Sequence, residues 1–343
     1  MRAAANEANW NIIGHDWAVA TLGHHVCAGR EQHAYLFTGA TGVGKRTLAV
    51  AFARRLLCTA ANAPCVDPNK CRVCMLIVAG KHPDVRMVAP VTTGKVIKSA
   101  KIGVEQVREL IRHFSLRPVE AKRRIAIVTN FEFAGRAASD ALLKTLEEPP
   151  GNAIIIITAN SISDLPPTIV SRCGQIALRP LPRSLVQQAL CSYWGASAEQ
   201  ADILARLSGG RLGWAVGLLN DESELVARSE RLSELPDLLQ ASRVDRLSYA
   251  DKLRKDRGAL IAALDLWGCW WRDVMHVAAG ANTSITNADR SADVSFAAGQ
   301  LTAADAARAV ASVCAAQRHL QSNANPRLVL EVLLLDLPRI STS

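Results

Sequence analysis

The sequence of 343 residues has no long apolar run. Its most apolar stretch, residues 259–279, is interrupted by Asp265, Arg272 and Asp273, whereas a membrane-spanning helix needs about 20 consecutive apolar residues. The first ten residues are polar and lack the apolar core of a secretory signal. We therefore expect a soluble, cytoplasmic protein. In that compartment thiols stay reduced, so clustered cysteines are interpreted as metal ligands before disulfides.

Aromatic residues are also scarce, at 5% of the chain. None of them alternate with basic residues in the manner of proteins that stack single-stranded nucleic acid. The eight histidines show no metal-binding spacing with carboxylates. There is no internal repeat and no low-complexity tract, which argues against a solenoid. A content of 49% apolar and 21% charged residues is typical of globular proteins and excludes wholesale disorder.

Positive charge is concentrated in the first half of the chain. Residues 1–180 contain 23 Lys and Arg against 13 Asp and Glu, whereas residues 181–343 contain 17 against 18. The formal net charge of +9 therefore arises entirely from the first half. Phosphate, as nucleotide or nucleic acid, is the natural partner for such a segment, and a solvated basic face is the alternative.

Short apolar runs rich in Ile and Val alternate with helical patterns in this half. Strands are predicted at residues 34–38, 125–129 and 154–158, and helices at 46–57 and 137–146. Strands without polar alternation are buried on both faces, as in a parallel sheet. The first half is therefore predicted to be an α/β domain with a parallel sheet.

Beyond residue 180 the periodicity is helical only. Short helices are predicted at 184–194, 198–207 and 212–219, and longer amphipathic helices follow from residue 222 to Pro338. The polar stretch 282–294 is predicted to be a loop. These patterns predict three domains, an α/β domain at 1–180, a small helical domain at 181–221 and a larger helical domain at 222–343.

A glycine-rich segment, residues 39–47, lies between the first predicted strand and the first predicted helix. We call it the phosphate loop. Gly39, Gly42 and Gly44 allow the backbone to wrap closely around phosphates, and amide groups at the start of the helix point toward them. Lys45 would reach the terminal phosphates. Gly-x4-Gly-Lys in this context predicts a nucleotide-binding lineage.

The same loop departs from the pattern of a working ATPase. A Ser or Thr should follow the lysine as a magnesium ligand, but Arg46 stands there and Thr47 comes one residue late. The later strand should end in Asp and Glu, but it ends in Thr129 and Asn130. Two lost magnesium-handling positions favour an inactive site. The alternative is an active ATPase that uses Thr47 or the more distant Glu132.

Four cysteines fall within 17 residues: Cys58, Cys65, Cys71 and Cys74. We call them the cysteine cluster. Four thiolates suit a closed tetrahedral zinc site, and the residues between them show no regular pattern, so a metal would be needed to order the loop. An iron–sulfur cluster or unrelated buried thiols are the alternatives. The remaining cysteines are isolated and are predicted to be core residues: Cys27, Cys173, Cys191, Cys269 and Cys314.

Several strings across the chain resemble one family. Besides the phosphate loop and the cysteine cluster, they are His82-Pro83-Asp84, Ala141-Leu-Leu-Lys-Thr-Leu-Glu-Glu-Pro-Pro150, Ser171-Arg172-Cys173 and Asn323-Ala-Asn-Pro-Arg327. In combination they resemble the subunits of the bacterial DNA polymerase III clamp loader, an AAA+ family. The resemblance implies an AAA+ P-loop domain with a zinc insertion at about 58–74, a helical lid and a helical collar.

The resemblance also implies a function. The gamma/tau type of subunit is the ATPase motor, and the delta-prime type is similar but ATPase-defective. The departures at Arg46, Thr129 and Asn130 favour the delta-prime type. Arg172 would then act as an arginine finger in trans, at the ATP site of a neighbouring motor subunit, and an arginine held in a local salt bridge is the alternative.

Other roles follow from the resemblance alone. Asn160 corresponds to a sensor position, Arg211 to the lid arginine that senses phosphate, and the segment ending at His15 to the adenine neighbourhood. Partners would be gamma/tau and delta subunits in a hetero-pentamer, with the sliding clamp and primed DNA met through the complex and no membrane. Basic residues that would meet the DNA backbone are Lys122, Arg123, Arg124 and Lys144.

Two alternative functions stay open on the sequence alone. One is an active gamma/tau-type ATPase, distinguished by hydrolysis in the isolated chain. The other is a nucleotide- or nucleic-acid-binding module outside replication, which would form no stable complex with clamp-loader subunits. ATP or ADP binding is compatible with all of these readings. The cluster of Trp267, Trp270 and Trp271 lies at helical spacing and is predicted to be core or subunit-contact surface.

Overall fold

The computed structural model describes residues 10–60, 63–91, 101–254, 257–281, 285–321 and 324–340. Asn323 of the family string lies outside them. Contacts divide the chain into two compact units. Among the described residues, unit 1 contains 10–91, 101–189 and 210–214, and unit 2 contains 190–209 and 215–340, with the gaps given above. The three-domain boundaries stay a prediction. No helix in the described part of the chain has the length and apolarity to span a bilayer.

Unit 1 is built on a parallel sheet of five strands in the order β2-β3-β4-β1-β5. The strands are β1 (Ala34–Thr38), β2 (Val85–Val88), β3 (Arg124–Val128), β4 (Ala153–Ala159) and β5 (Gly174–Ala177). Every residue of β1, β3 and β4 is buried, which is why their sequences are almost continuously apolar. The three predicted strands and the parallel sheet are confirmed.

Helices cover both faces of this sheet. They are α1 (Asp16–Cys27), α2 (Lys45–Leu57), α3 (Arg72–Val78), α4 (Val104–Ser115), α5 (Arg136–Glu147), α6 (Pro167–Val170) and α7 (Arg183–Trp194), the last crossing into unit 2. One apolar layer joins Phe52 of α2 to Phe37 of β1. The other joins Leu142 of α5 to Ile157 of β4. The two layers fix the ends of β1 and β4, where the candidate site lies.

Unit 2 is helical. Its elements are α8 (Ala198–Leu207), α9 (Leu212–Asn220), α10 (Glu222–Gln240), α11 (Arg243–Leu253), α12 (Arg257–Ala278), α13 (Ser291–Gln300), α14 (Ala303–Gln321) and α15 (Pro326–Asp336), with α9 beginning in unit 1. The tryptophan cluster is fully buried in the core of this unit: Trp267, Trp270 and Trp271. Of the two predicted alternatives, core and subunit-contact surface, the structure shows the core. The predicted loop at 282–294 is wrong at its end, because α13 begins at Ser291 and buries Val294 in that core.

Asp84 organises the chain between α4 and β3. It is fully buried, and its carboxylate accepts hydrogen bonds from three consecutive backbone N–H groups, those of Val119, Glu120 and Ala121, at 2.7–2.9 Å. Burial alone would raise the pKa of Asp84, but these three donors and the nearby Arg124 hold it below its usual value. The His-Pro-Asp string therefore has a structural role.

One basic group predicted to meet DNA is not on the surface. Arg124 is 4% exposed, and its guanidinium lies 3.9 Å from Asp84 and 2.6 Å from the Nδ1 of His113. Arg123 is half-buried and pairs with Glu31 at 3.3 Å. The prediction of a DNA contact is wrong for Arg124, because its charge offsets a buried carboxylate. Lys122 and Lys144 are exposed, and for them the DNA contact stays a prediction.

Candidate functional site

The phosphate loop connects β1 to α2, as the sequence predicts. Gly39, Gly42 and Gly44 have φ angles of 141°, 83° and 110°, a region that favours glycine. A Cβ on Gly39 would lie 2.5 Å from the carbonyl oxygen of Leu178, and one on Gly42 would lie 2.8 Å from the Cβ of Trp214. Both glycines are therefore required by conformation and by close packing. The loop has the backbone shape of a phosphate-binding turn.

Lys45 and Asn160 close this loop. Lys45 is 7% exposed, and its Nζ donates to the carbonyls of Gly39 and Ala40 and to the Oδ1 of Asn160 at 2.9 Å. The same Oδ1 accepts from the hydroxyl of Thr41 at 3.1 Å. Burial lowers the pKa of Lys45, and the carboxylate of Glu132 opposes that shift. Asn160, which follows β4, thus lies at the phosphate loop, and its role as a sensor stays a prediction.

The positions that should handle magnesium are occupied differently. Arg46 and Thr47 are exposed on the first turn of α2. Thr129 is buried, and its hydroxyl donates to the carbonyl of Val88 at 3.3 Å. Asn130 has a left-handed φ of 54°, and its N–H donates to the hydroxyl of Thr158. Neither residue after β3 supplies a carboxylate, and the hydroxyl of Thr129 is engaged within the sheet.

Glu132 is a site residue that the sequence alone placed beyond the strand. It lies in a short 3-10 turn over residues 131–133, and neither carboxylate oxygen has a hydrogen-bond partner among the described residues. Burial raises the pKa of Glu132, and the nearby ammonium of Lys45 opposes the rise. The turn therefore brings a buried carboxylate to the phosphate loop. The sequence signal for this turn is Asn130 itself, because asparagine adopts a left-handed φ more readily than most residues do.

Two predicted residues border the loop. His15, with φ 57°, places its Nε2 3.0 Å from the carbonyl of Val43. Arg211 has its guanidinium stacked 4.9 Å from the ring centre of Trp214. The N–H of Gly213 donates to the carbonyl of Gly42 at 2.8 Å, which ties residues 210–214 to the loop. The structure thus places Asn160, His15 and residues 210–214 beside the phosphate loop.

Arg172 lies outside this group. It follows α6, is half-buried, and its Nη2 lies 2.8 Å from the carboxylate of Glu147 at the end of α5. Its Nη1 donates to the carbonyl of Thr168 at 2.9 Å. The guanidinium is held at the surface of unit 1 and remains partly accessible to a second molecule.

The cysteine cluster brings its four sulfur atoms within 4.8 Å of one another. Cys58 directly follows α2, Cys71 precedes α3 and Cys74 lies within α3, so the predicted absence of regular structure is wrong for residues 72–74. The sulfur of Cys58 is 3.5 Å from that of Cys65 and 4.0 Å from that of Cys71. Tetrahedral zinc with Zn–S bonds of about 2.3 Å requires sulfurs about 3.8 Å apart. The four residues can hold a metal ion.

Protonation within the cluster also favours a cation. The pKa of Cys58 is lowered to about 7: burial raises it, and hydrogen bonds from the backbone of Ala60 and Cys65 outweigh that. Hydrogen bonding to Cys58, burial and neighbouring thiols raise the pKa of Cys65 to about 12. Thiolates this close repel one another, so all four ionise only around a metal. Outside the cluster, Cys173 is buried as predicted, but Cys27, Cys191 and Cys314 are exposed, which corrects the prediction of core positions.

Comparison with known proteins gives the family. A family model described as DNA polymerase III, delta subunit, matches residues 14–182, and a model of the C-terminal part of that subunit matches residues 222–339. The chain is 38% identical over 192 residues to the DNA polymerase III subunit delta' of Pseudomonas aeruginosa, which covers 53% of this chain and 55% of that protein. The match thus spans about half of that relative.

Two further relatives match different lengths of the chain. The delta' subunit of Bacillus subtilis is 27% identical over 313 residues, 90% of this chain and 91% of that protein. The tau/gamma subunit of Haemophilus influenzae is 31% identical over 182 residues, 52% of this chain and 25% of that protein. With the two family models and the two delta' relatives in agreement, the chain belongs to the family of delta-prime subunits of DNA polymerase III.

Proposed function

We propose that this chain is an ATPase-defective delta-prime subunit that assists loading of the sliding clamp onto primed DNA. The observation that carries the proposal is the pairing of an intact phosphate loop with missing magnesium ligands. Lys45 and Asn160 close the loop, whereas Arg46 replaces the magnesium-binding hydroxyl and Thr129 is turned into the sheet. Without a held magnesium ion the charge on the transferred phosphate is not neutralised, so hydrolysis in cis is not supported.

In this proposal the chain contributes to catalysis through Arg172. A guanidinium supplies fixed charge and paired donors to the phosphoryl group of a neighbouring subunit. Its partial exposure and its place at the surface of unit 1 support that role. A subunit with a defective site of its own can thereby complete the site of its neighbour.

The proposed partners are the gamma/tau and delta subunits, joined in a hetero-pentamer, with the clamp and DNA reached through that assembly. The family membership supports this, because the relatives are named as DNA polymerase III subunits. Unit 2 would form the collar through which the subunits associate. The proposed location is the bacterial cytoplasm, where replication takes place.

The proposed metal in the cysteine cluster is structural zinc. Four sulfur ligands leave no open coordination position for catalysis, so the ion would serve to order residues 58–74. Zinc accommodates four thiolates without any redox role. An iron–sulfur cluster is the competing occupant, and absorption of visible light by the purified protein distinguishes the two.

A second function is favoured by one specific observation. Glu132 places a buried carboxylate near Lys45, with no hydrogen bond to its oxygens from the described residues, and such a group suits activation of a water molecule. An active gamma/tau-type ATPase would use it together with Thr47.

Reconstitution tests the proposed place in the clamp loader. The chain is mixed with purified gamma/tau and delta subunits, and the mass of the product is measured by light scattering. A stable complex that contains all three and loads the clamp onto primed DNA supports the proposal. A chain that stays separate supports a module outside replication.

A further inference from the structure

Arg54 is a buried cation beside the cysteine cluster. It lies on α2, four residues before Cys58, and is 5% exposed. Its Nη2 donates to the carbonyl oxygen of Cys65, and its guanidinium lies within hydrogen-bonding reach of the Cys74 side chain. The guanidinium thus contacts two of the four cysteines.

No carboxylate among the described residues lies within ion-pair distance of Arg54. Its Nε is buried and has no hydrogen-bond partner there. An isolated buried charge is strongly unfavourable, and native proteins pair such groups or coordinate them. Arg72, another basic residue beside the cluster, is exposed and engages Glu120 at 2.8 Å. Arg54 therefore needs a negative partner that the carboxylates in the described part of the chain do not supply.

The filled cysteine cluster is such a partner. Four thiolates around one divalent zinc ion leave a net charge of about −2 on the centre, since each ligating cysteine is deprotonated. A guanidinium held against this centre is stabilised by it and reduces its excess negative charge in return. Burial strengthens the attraction, because the low polarity around Arg54 screens it little.

We propose that Arg54 is the counter-charge of the metal centre and holds the zinc in place. The proposal rests on the zinc assignment made above. Arg54 acts through the ligands rather than on the metal, as a positioning residue. Because α2 starts at Lys45 of the phosphate loop and ends at Leu57, directly before Cys58, Arg54 also ties the metal module to the helix that carries the candidate site.

The neighbouring Arg55 provides a matched control. It lies on the same helix, is half-buried, and directs its Nη2 toward the sulfur of Cys27 at 3.5 Å, outside the cluster. We would prepare full-length wild type with Arg54→Gln, Arg54→Lys and Arg55→Gln variants. Gln keeps a hydrogen-bond donor without the charge, and Lys keeps the charge without the planar guanidinium and its paired donors. Zinc content is measured by elemental analysis, and zinc release by transfer to a coloured chelator.

The expected result is that Arg54→Gln releases zinc at least about tenfold faster than wild type, in the range typical of lost outer-shell partners. Arg54→Lys should stay within about threefold of wild type and Arg55→Gln within about twofold. Equal loss from Arg54→Gln and Arg54→Lys would overturn the proposal, since the shape of the guanidinium and not its charge would then matter. Equal release from Arg54→Gln and Arg55→Gln would overturn it as well.

Excess zinc shows whether a variant that does not fold has lost the metal or its packing. If Arg54→Gln does not fold, rescue by excess zinc supports the proposal, and failure at every zinc concentration contradicts it because Arg54 would then act only in packing. Wild type that holds no metal would remove the zinc assignment itself. That outcome is distinguishable from metal-loaded wild type with an unaffected Arg54→Gln variant, which removes the role of Arg54 alone.

Discussion

Arg172 and Glu147 form an ion pair in which the Nη2 of the arginine lies 2.8 Å from the carboxylate. Each residue belongs to one of the strings most specific to the family, Ser-Arg-Cys and the string ending in Glu-Glu-Pro-Pro. Both side chains are partly exposed, and an ion pair in such a position contributes about 0–1 kcal/mol. The pair therefore orients the guanidinium at the surface of unit 1 and yields readily to a stronger anion such as a phosphate group.

The first prediction concerns this arginine in the assembled complex. Arg172→Ala should lower ATP turnover at the adjacent motor site by on the order of 10³-fold, because the charge on the transferred phosphate loses its stabilising cation. Turnover is measured in the reconstituted complex after light scattering has shown that assembly is intact. Glu147→Gln, which keeps the arginine, is the control and should stay within about twofold of wild type. An unchanged rate for Arg172→Ala in an intact complex would remove the trans-arginine role.

The second prediction concerns the metal. Freshly purified chain should contain about one equivalent of zinc, and Cys74→Ser should lose both the metal and a part of the thermal stability, since binding energy at a structural site is folding energy. Cys314→Ser replaces an isolated exposed cysteine and should change neither. Elemental analysis and thermal melts measure the two quantities. Metal-free protein from a preparation without chelators contradicts this assignment.

The third prediction concerns Asp84. Replacement by Asn should reduce the free energy of unfolding by about 3 kcal/mol or more. Asn has an NH₂ group in place of one carboxylate oxygen, so a donor would face the backbone N–H groups that this oxygen accepts from in a fully buried site. Urea unfolding measures the change. Asp140→Asn, at an exposed position of α5, should stay within about 0.5 kcal/mol of wild type. Equal effects of the two substitutions would show that the three-donor contact contributes little.

The fourth prediction gives the pH dependence of the same contact. The pKa of Asp84 is lower in the folded protein than in the unfolded chain, so its contribution is complete above the unfolded value of about 3.9. It is lost as the pH falls through the lower, folded pKa. The stability difference between wild type and Asp84→Asn should therefore be constant from pH 5 to 7 and shrink below about pH 4. A difference that stays constant into strong acid contradicts the depressed pKa.

Much of the sheet was predictable because its central strands are buried on both faces. Such burial leaves an almost unbroken apolar signature, as in residues 153–159. The edge strands β2 and β5 are only four residues long, and each carries exposed or half-exposed polar side chains such as Arg86 and Gln175. Their patterns are too short and too mixed to distinguish from loops.

The candidate site was only partly predictable, for a different reason. Local spacing identifies the phosphate loop and the cysteine cluster, because the chain itself brings those residues together. The positions of Glu132 and Arg54 depend on a left-handed turn at Asn130 and on which face of α2 is buried. The ion pair of Arg172 with Glu147 depends on where α5 and α6 end in space. None of these relationships has a fixed distance along the sequence.

The central claim is that the phosphate loop of this chain does not support hydrolysis. The most direct test is ATP turnover by the purified chain alone with magnesium, beside Lys45→Ala and Glu132→Gln variants that remove the loop ammonium and the buried carboxylate. The account predicts no turnover in the wild type above that of Lys45→Ala, and no change with Glu132→Gln. Clear wild-type turnover that both substitutions abolish would contradict it and make the chain an active motor subunit.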